Sequence, residues 1–156
     1  MDTIAEICRL MEAKKERFFE YEKATLAMLE CGPDDVEHYI TQRGELAIEI
    51  DALTEQIARL ASEEPAAELL VAAAAGRAEF AQLPPEYHCV FYEAQSVQSV
   101  ANRIRETEKQ VLARLNMFKD EALANIRQNQ NLPKIKKYLT DLSGKNAQGS
   151  LTDEKA

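Results

Sequence analysis

The sequence predicts an all-α protein, an elongated antiparallel helical bundle or coiled coil of three main helices with additional short helices. The chain of 156 residues contains only 5 Gly, 5 Pro and no Trp, and it is rich in residues that favour helices. Apolar residues recur three and four positions apart over long stretches, which is the spacing of one helix face. Prolines and glycines separate these stretches, so we expect one domain over residues 1–142 and a flexible tail over 143–156.

The first helix is predicted over residues 3–30. Its apolar stripe has one polar interruption, at Lys14. It should end before Gly32 and Pro33, because proline cannot continue the backbone hydrogen-bond ladder. The stripe consists of Ile4, Ile7, Met11, Phe18, Tyr21, Thr25 and Met28.

The second helix is predicted over residues 34–62. Asp34 and Asp35 are favourable near its start, where the helix dipole is positive. The connection to the first helix is short, so the two helices should be antiparallel neighbours. Its heptad positions are Leu46, Ile50, Leu53, Ile57 and Leu60.

Beyond Pro65 an Ala-rich short helix is predicted over residues 66–75, stopped at Gly76. Residues 77–83 fit either an extension of that helix or a loop. The longest helix is predicted over 85–131, and a short amphipathic helix over 134–142 follows Pro133. The stripe of the long helix consists of Val90, Ala94, Val97, Ala101, Ile104, Glu108, Val111, Leu115, Phe118, Ala122 and Asn125.

The charge distribution limits the classes of partner. The chain carries a net charge of −8, with −12 on residues 1–100 and +4 on residues 101–156. An acidic body argues against nucleic acid, whose binding requires neutralised phosphates. The longest apolar run, Leu69–Ala75, is too short to span a membrane, and the N-terminus has no signal-peptide pattern. We therefore expect a cytoplasmic protein with no integral membrane segment.

The three cysteines, Cys8, Cys31 and Cys89, are widely spaced and form no C-x-x-C motif. An odd number without a motif predicts reduced thiols in a cytosolic protein. Cys89 is interpreted as a small buried apolar residue, because its sequence neighbour His88 would point away from it on a helix.

No catalytic, cofactor-binding or metal-binding residue is predicted, so the chain is not expected to be an enzyme. Its two histidines, His38 and His88, lie outside the Glu-x-x-His pattern of carboxylate-bridged metal sites in helical bundles. They are interpreted as surface residues. The five glycines form no phosphate-binding loop.

The C-terminal part of the long helix is the candidate binding surface. Basic residues, among them Arg114, Lys119 and Arg127, accompany its apolar residues. This surface fits two interpretations equally: packing against the first two helices, or a groove site for an amphipathic partner helix. The candidate residues are Val111, Leu115, Phe118, Ala122, Leu123 and Ile126.

Three polar residues, Lys14, Glu108 and Asn125, occupy positions where the apolar rhythm predicts an apolar side chain. Polar residues at such positions can control the register of packed helices, or they mark a stripe that has run out into solvent. The alternative is that they contact a partner protein.

The segment from Phe18 to Leu60 resembles the FlgN-like family of flagellar type III export chaperones. An aromatic-rich first helix and a short turn precede Gln42-Arg43, then Leu46, then Ile50-Asp51-Ala52-Leu53. The order of elements is also similar over residues 12–142: a helical hairpin, a variable middle, a long third helix, and a segment containing Lys and Tyr at 129–142.

This resemblance implies a chaperone that binds the C-terminal helical region of hook–filament junction proteins. Binding would prevent premature assembly, and the chaperone would deliver its cargo to the cytoplasmic receptor of the export gate. The resemblance also implies a C-terminal helical segment that holds cargo and a tyrosine that contributes to docking at the gate. Tyr138 is the candidate, as the only tyrosine after Tyr92.

Two alternatives remain open at this stage. The unbroken stripe from Val90 to Asn125 also fits a self-associating structural coiled-coil protein without flagellar cargo. A filament-cap protein is an alternative cargo to a junction protein. A homodimer is compatible with both functions.

Overall fold

The computed structural model describes residues 2–128, and no strand occurs within them, which confirms the all-α prediction. Contacts divide the chain into two units, residues 1–112 and 113–156. The predicted helix at 134–142 and the predicted tail at 143–156 lie outside the described residues. The helices are α1 (Thr3–Ala27), α2 (Val36–Ser62), α3 (Ala67–Ala74) and α4 (His88–Ile126), with short 3₁₀ helices at Phe80–Gln82 and Pro85–Tyr87.

Helix α1 begins at a side-chain cap and ends three residues earlier than predicted. The Asp2 carboxylate accepts a hydrogen bond of 3.0 Å from the backbone N–H of Ile4, which satisfies one of the unpaired donors at the helix start. At the other end the backbone leaves the helix after Ala27 and forms turns through Cys31.

Helices α1 and α2 run in opposite directions, as the short connection between them predicts. Arg17 on α1 forms an ion pair of 3.4 Å with Glu49 on α2. Nearer the connection, the Arg43 guanidinium donates a hydrogen bond of 2.9 Å to the Tyr21 hydroxyl. Residue numbers therefore rise along one helix as they fall along the other. These two helices have the most extensive contact of any helix pair.

Gly76 ends helix α3, as the sequence predicts. Its φ is +78°, a left-handed conformation that costs little without a Cβ atom. The N–H of Gly76 bonds to the carbonyl of Ala73, and the N–H of Arg77 bonds to the carbonyl of Ala72. This pair of bonds is a Schellman motif. The segment after it is a loop with one 3₁₀ turn, which resolves the ambiguity over residues 77–83.

Ion pairs connect α4 to α1 in the same residue order along both helices. Lys15 pairs with Glu93 at 3.0 Å, and Glu22 pairs with Arg103 at 2.7 Å. Helix α4 therefore runs parallel to α1 over this length and opposite to α2. These ion pairs join residues that are far apart in the sequence. No short connection forces α1 and α4 to be neighbours, so the contacts result from tertiary packing.

The main apolar core lies at the end of the molecule where α1 begins and α2 ends. Helix α3 and the start of α4 also contribute to it, so the short Ala-rich helix is a structural part of this core. Its buried residues are Ile7, Leu10, Met11, Ile57, Ala61, Leu70, Ala73, Leu83, Tyr87, Val90 and Ala94.

The expectation of three reduced thiols is wrong for two of the cysteines. Cys8 on α1 and Cys89 on α4 form a disulfide across a sequence separation of 81 residues. Cys89 is exposed, so its interpretation as a buried apolar residue is also wrong. The physical reason is the parallel arrangement of α1 and α4, which places the first turns of both helices side by side. Cys31 is outside the disulfide.

Candidate partner-binding surface

The apolar stripe of α4 is buried over its first six turns, as predicted. Most of the predicted positions from Val90 to Val111 are buried, and Val100 belongs to the same face although the four-three rhythm does not select it. Val111, one of the candidate contact residues, is only 1% exposed. Its side chain is therefore part of the packed interior of residues 1–112.

The candidate residues after Val111 have a different environment. Leu115 and Phe118 are half-buried, and Ala122 is exposed. Leu123 and Ile126 are 41% and 47% exposed. The five candidate positions lie on one unbroken helical segment, and Leu112 and Met117 of the same helix are also exposed, at 57% and 44%.

Basic side chains lie among these apolar residues. The Arg114 guanidinium stacks on the Phe118 ring at 4.9 Å, a cation–π contact that covers one side of the ring. Lys119 and Arg127 follow on the exposed surface, along with acidic Asp120. The surface is therefore amphipathic, with charged residues of both signs, including Glu121, beside its apolar side chains.

Tyr138, the candidate for docking at an export gate, lies outside the described residues. Its role is therefore a prediction from the resemblance alone.

Glu108 has a partner within the protein. One of its carboxylate oxygens forms an ion pair with a guanidinium nitrogen of Arg43 on α2 at a distance of 2.5 Å. The angles at these two atoms are not those of a hydrogen bond. Arg43 also bonds to Tyr21 on α1, so one guanidinium group contacts both neighbouring helices. This arrangement agrees with the interpretation of Glu108 as a register-controlling residue.

The same three side chains border a groove of about 620 Å³ between α1, α2 and α4. The lining of this groove includes apolar side chains, such as Phe18 and Ile50, and charged side chains, such as Asp51 and Arg105.

The other two polar positions of the stripes behave differently. Lys14 is half-buried, and burial lowers the pKa of its ammonium group, although the charge of Asp51 acts in the opposite direction. Asn125 is exposed, which fits a stripe that has run out into solvent.

An aromatic cluster at the start of α4 was missed at the sequence level. Phe80 stacks on the His88 ring at a centroid distance of 4.2 Å, and Phe91 and Tyr92 surround the same phenyl group. His88 also contacts the carbonyl oxygen of Leu83 at 3.2 Å. The cluster depends on a loop that brings residue 80 back to α4, and no local spacing signals that return.

His88 is therefore a half-buried packing residue, whereas His38 is exposed as expected of a surface residue. Across residues 2–128, no group of three or more His, Cys, Asp or Glu side chains is arranged to hold a metal ion. None of the helices in residues 2–128 has the length and apolar character needed to cross a membrane.

Comparison with known proteins identified no relative of this chain. No protein-family model matches the chain, and neither a curated protein nor a solved structure matches it.

Proposed function

We propose that this protein is a flagellar export chaperone of the FlgN-like type, which binds the C-terminal helical region of a hook–filament junction protein. In this proposal it keeps its cargo unassembled and delivers it to the export gate, where Tyr138 contributes to docking. The proposal includes a cytoplasmic location and an elongated antiparallel bundle of α1, α2 and α4.

The observation that carries the proposal is the pair of exposed aliphatic side chains at the end of α4. Leu123 and Ile126 lie three residues apart on the helix, each one position beyond the stripe residues Ala122 and Asn125, and they are 41% and 47% exposed. A cargo helix that assembles as a coiled coil also exposes an apolar stripe before assembly. A second stripe of matching period can cover it, and basic neighbours such as Lys119 can pair with acidic residues on its polar face.

The disulfide between Cys8 and Cys89 is the observation that stands against the cytoplasmic part of the proposal. Glutathione and thioredoxin keep cytoplasmic thiols reduced, so structural disulfides are rare there. Trapping thiols with a maleimide in intact cells measures the redox state directly. The proposal requires that the pair be reduced in the cytoplasm and that the reduced protein still bind cargo.

The binding experiment is co-expression with the hook–filament junction proteins of the source organism. Purification through a tag on this chain and light scattering would give the mass of any complex. We expect a stoichiometric complex that is lost when the cargo lacks its C-terminal helix. The double variant Leu123→Glu/Ile126→Glu should lose the complex, because two carboxylates would face the apolar cargo stripe.

The matched control is Ile48→Glu, which places the same charge at a 72% exposed position on α2. We expect this variant to bind cargo as well as the wild-type chain. Equal binding by the double variant, or equal loss in both variants, would contradict the assignment of the surface to the end of α4.

The second candidate function is a self-associating structural coiled coil. The same exposed side chains favour self-association, because Leu123 and Ile126 of one copy could pack on those of another. A stable homo-oligomer that forms without cargo, and that Leu123→Glu/Ile126→Glu dissociates, would favour this function. A monomeric mass across a wide concentration range would exclude it.

A further inference from the structure

A second cavity lies between α1, α2 and α3. Its volume is about 360 Å³, at the small end of the range of ligand pockets. Four of its lining residues are alanines, whose short side chains leave the space unfilled. Ile57 and Ala61 of the main core form part of the wall, so the interior is apolar and continuous with the core.

Two cationic side chains border this apolar space. Lys14 comes from α1, and Arg77 follows the Schellman turn that ends α3. Lys14 is half-buried and no carboxylate of residues 2–128 lies within ion-pair distance of its ammonium group, although the charge of Asp51 acts on it from farther away. A half-buried ammonium group without a close counterion carries a desolvation cost that a bound anion would offset. Thr54, also in the lining, donates its hydroxyl proton to the Ile50 carbonyl, so it has no proton to donate to a bound carboxylate.

From this arrangement we propose that the cavity binds a small amphiphilic carboxylate, with its aliphatic chain among the alanines and its carboxylate at Lys14. A single negative charge matches a single half-buried ammonium group. Residues 1–100 carry a net charge of −12, which disfavours a ligand with two or more negative charges. A neutral ligand would leave Lys14 unpaired. The site shares no residue with the proposed cargo surface and does not depend on that function.

The test uses octanoate as the probe and the full chain as the receptor, in isothermal titration calorimetry. We expect saturable binding with one octanoate per chain. Lys14→Met keeps the length and apolar character of the side chain but removes the charge. It should weaken octanoate binding roughly tenfold or more, the usual effect of losing a hydrogen bond to a charged group. Binding of 1-octanol, which has no charge, should not weaken in this variant.

Lys15→Met is the matched control, because Lys15 is the next residue on α1 and pairs with Glu93 instead of lining the cavity. It should bind octanoate like the wild-type chain. A second variant, Ala74→Leu, fills the cavity and should abolish binding while leaving Lys14 in place. Thermal melting of each variant verifies that it is folded, and Lys14→Gln replaces Lys14→Met if the latter does not fold.

The proposal is overturned if octanoate shows no saturable binding to the wild-type chain. It is equally overturned if Lys14→Met binds octanoate as tightly as the wild-type chain, or if Lys15→Met loses as much affinity as Lys14→Met.

Discussion

Arg43 on α2 forms an ion pair of 2.5 Å with Glu108 on α4. Both side chains are largely shielded from water, with 16% and 29% of their surfaces exposed. The pair accounts for a charged residue in the middle of an otherwise apolar stripe. It also specifies the register of α4 against α2, because a shift of α4 by one turn would leave both charges half-buried and unpaired.

The first prediction concerns the loss of one partner of this pair. Arg43→Met should lower the free energy of unfolding by about 1–3 kcal/mol. The reason is that the Glu108 carboxylate would stay largely shielded from water without its counterion. The double variant Arg43→Met/Glu108→Leu should recover part of that loss. Urea unfolding followed by circular dichroism measures both values.

Arg17→Met is the control for this prediction. Arg17 also joins α1 to α2 through an ion pair, but its partner Glu49 is about half exposed. Removing such a surface pair should cost less than about 1 kcal/mol. Equal losses for Arg43→Met and Arg17→Met would show that the Arg43–Glu108 pair has no special structural role.

The second prediction concerns the disulfide. Cys8→Ser should lower the free energy of unfolding by about 4 kcal/mol, because the bond to Cys89 closes a long loop and restricts the unfolded chain. Urea unfolding with and without a reducing agent should show the same difference for the wild-type chain. Cys31→Ser should not change this difference, since Cys31 is outside the bond.

A thiol titration in denaturant provides an independent measurement. The chain purified under oxidising conditions should react with one equivalent of reagent, at Cys31, and the reduced chain with three. Three reactive thiols before reduction would contradict the pairing.

The third prediction compares two glycines. Gly76→Ala should destabilise the protein by about 1–2 kcal/mol, because an L-residue is strained at a φ of +78°. Its Cβ would also lie 2.8 Å from the Gln98 amide nitrogen, which would have to move. Thermal or urea unfolding measures the change.

Gly44→Ala is the opposite case and serves as its control. Gly44 is inside helix α2, and apart from its chain neighbours and the nearby backbone of the same helix, no atom lies within 4 Å of the position that its Cβ would occupy. The substitution should stabilise the protein by up to about 1 kcal/mol through the higher helix propensity of alanine. A destabilised Gly44→Ala variant would show that this surface of α2 has a contact that the structure does not contain.

The fourth prediction concerns acid stability. A hydrogen bond from Arg103 lowers the pKa of Glu22 below its ordinary value of 4.5. The folded chain therefore binds this proton less readily than the unfolded chain. The stabilisation is complete above pH 4.5 and is lost as the pH falls through the lowered pKa of the folded state. Its size should be at most about 1 kcal/mol, because water and salt screen this surface pair.

Arg103→Gln should flatten the pH dependence of stability below pH 4.5. Arg105→Gln is its control, because Arg105 hydrogen-bonds to the neutral side chain of Asn102 and not to a carboxylate. Urea unfolding at a series of pH values compares the two variants. Identical profiles for both would remove Glu22 as a contributor to acid stability.

The helices and their breaks could be predicted because their causes are local. The four-three spacing identified most of the buried residues of α2 and α4, although it missed Ala61 and Val100, and Gly76 marked the end of α3. The ends of α1 and α2 differed from prediction by two or three residues, since the turn between Met28 and Asp35 depends on backbone hydrogen bonds rather than on Pro33 alone. The exposed apolar residues at the end of α4 were also predicted as a surface, although Val111 is buried.

Sequence by itself therefore determined the helical class, the order of the helices and the faces that they bury, because periodicity and proline act within a few residues. Only the tertiary structure decided that Cys8 pairs with Cys89, that Glu108 meets Arg43, and that Lys14 borders a cavity. Those relationships require α1 and α4 to lie side by side in parallel, and α3 to pack against α2. No local spacing specifies that arrangement, since it results from packing among segments that are far apart in the chain.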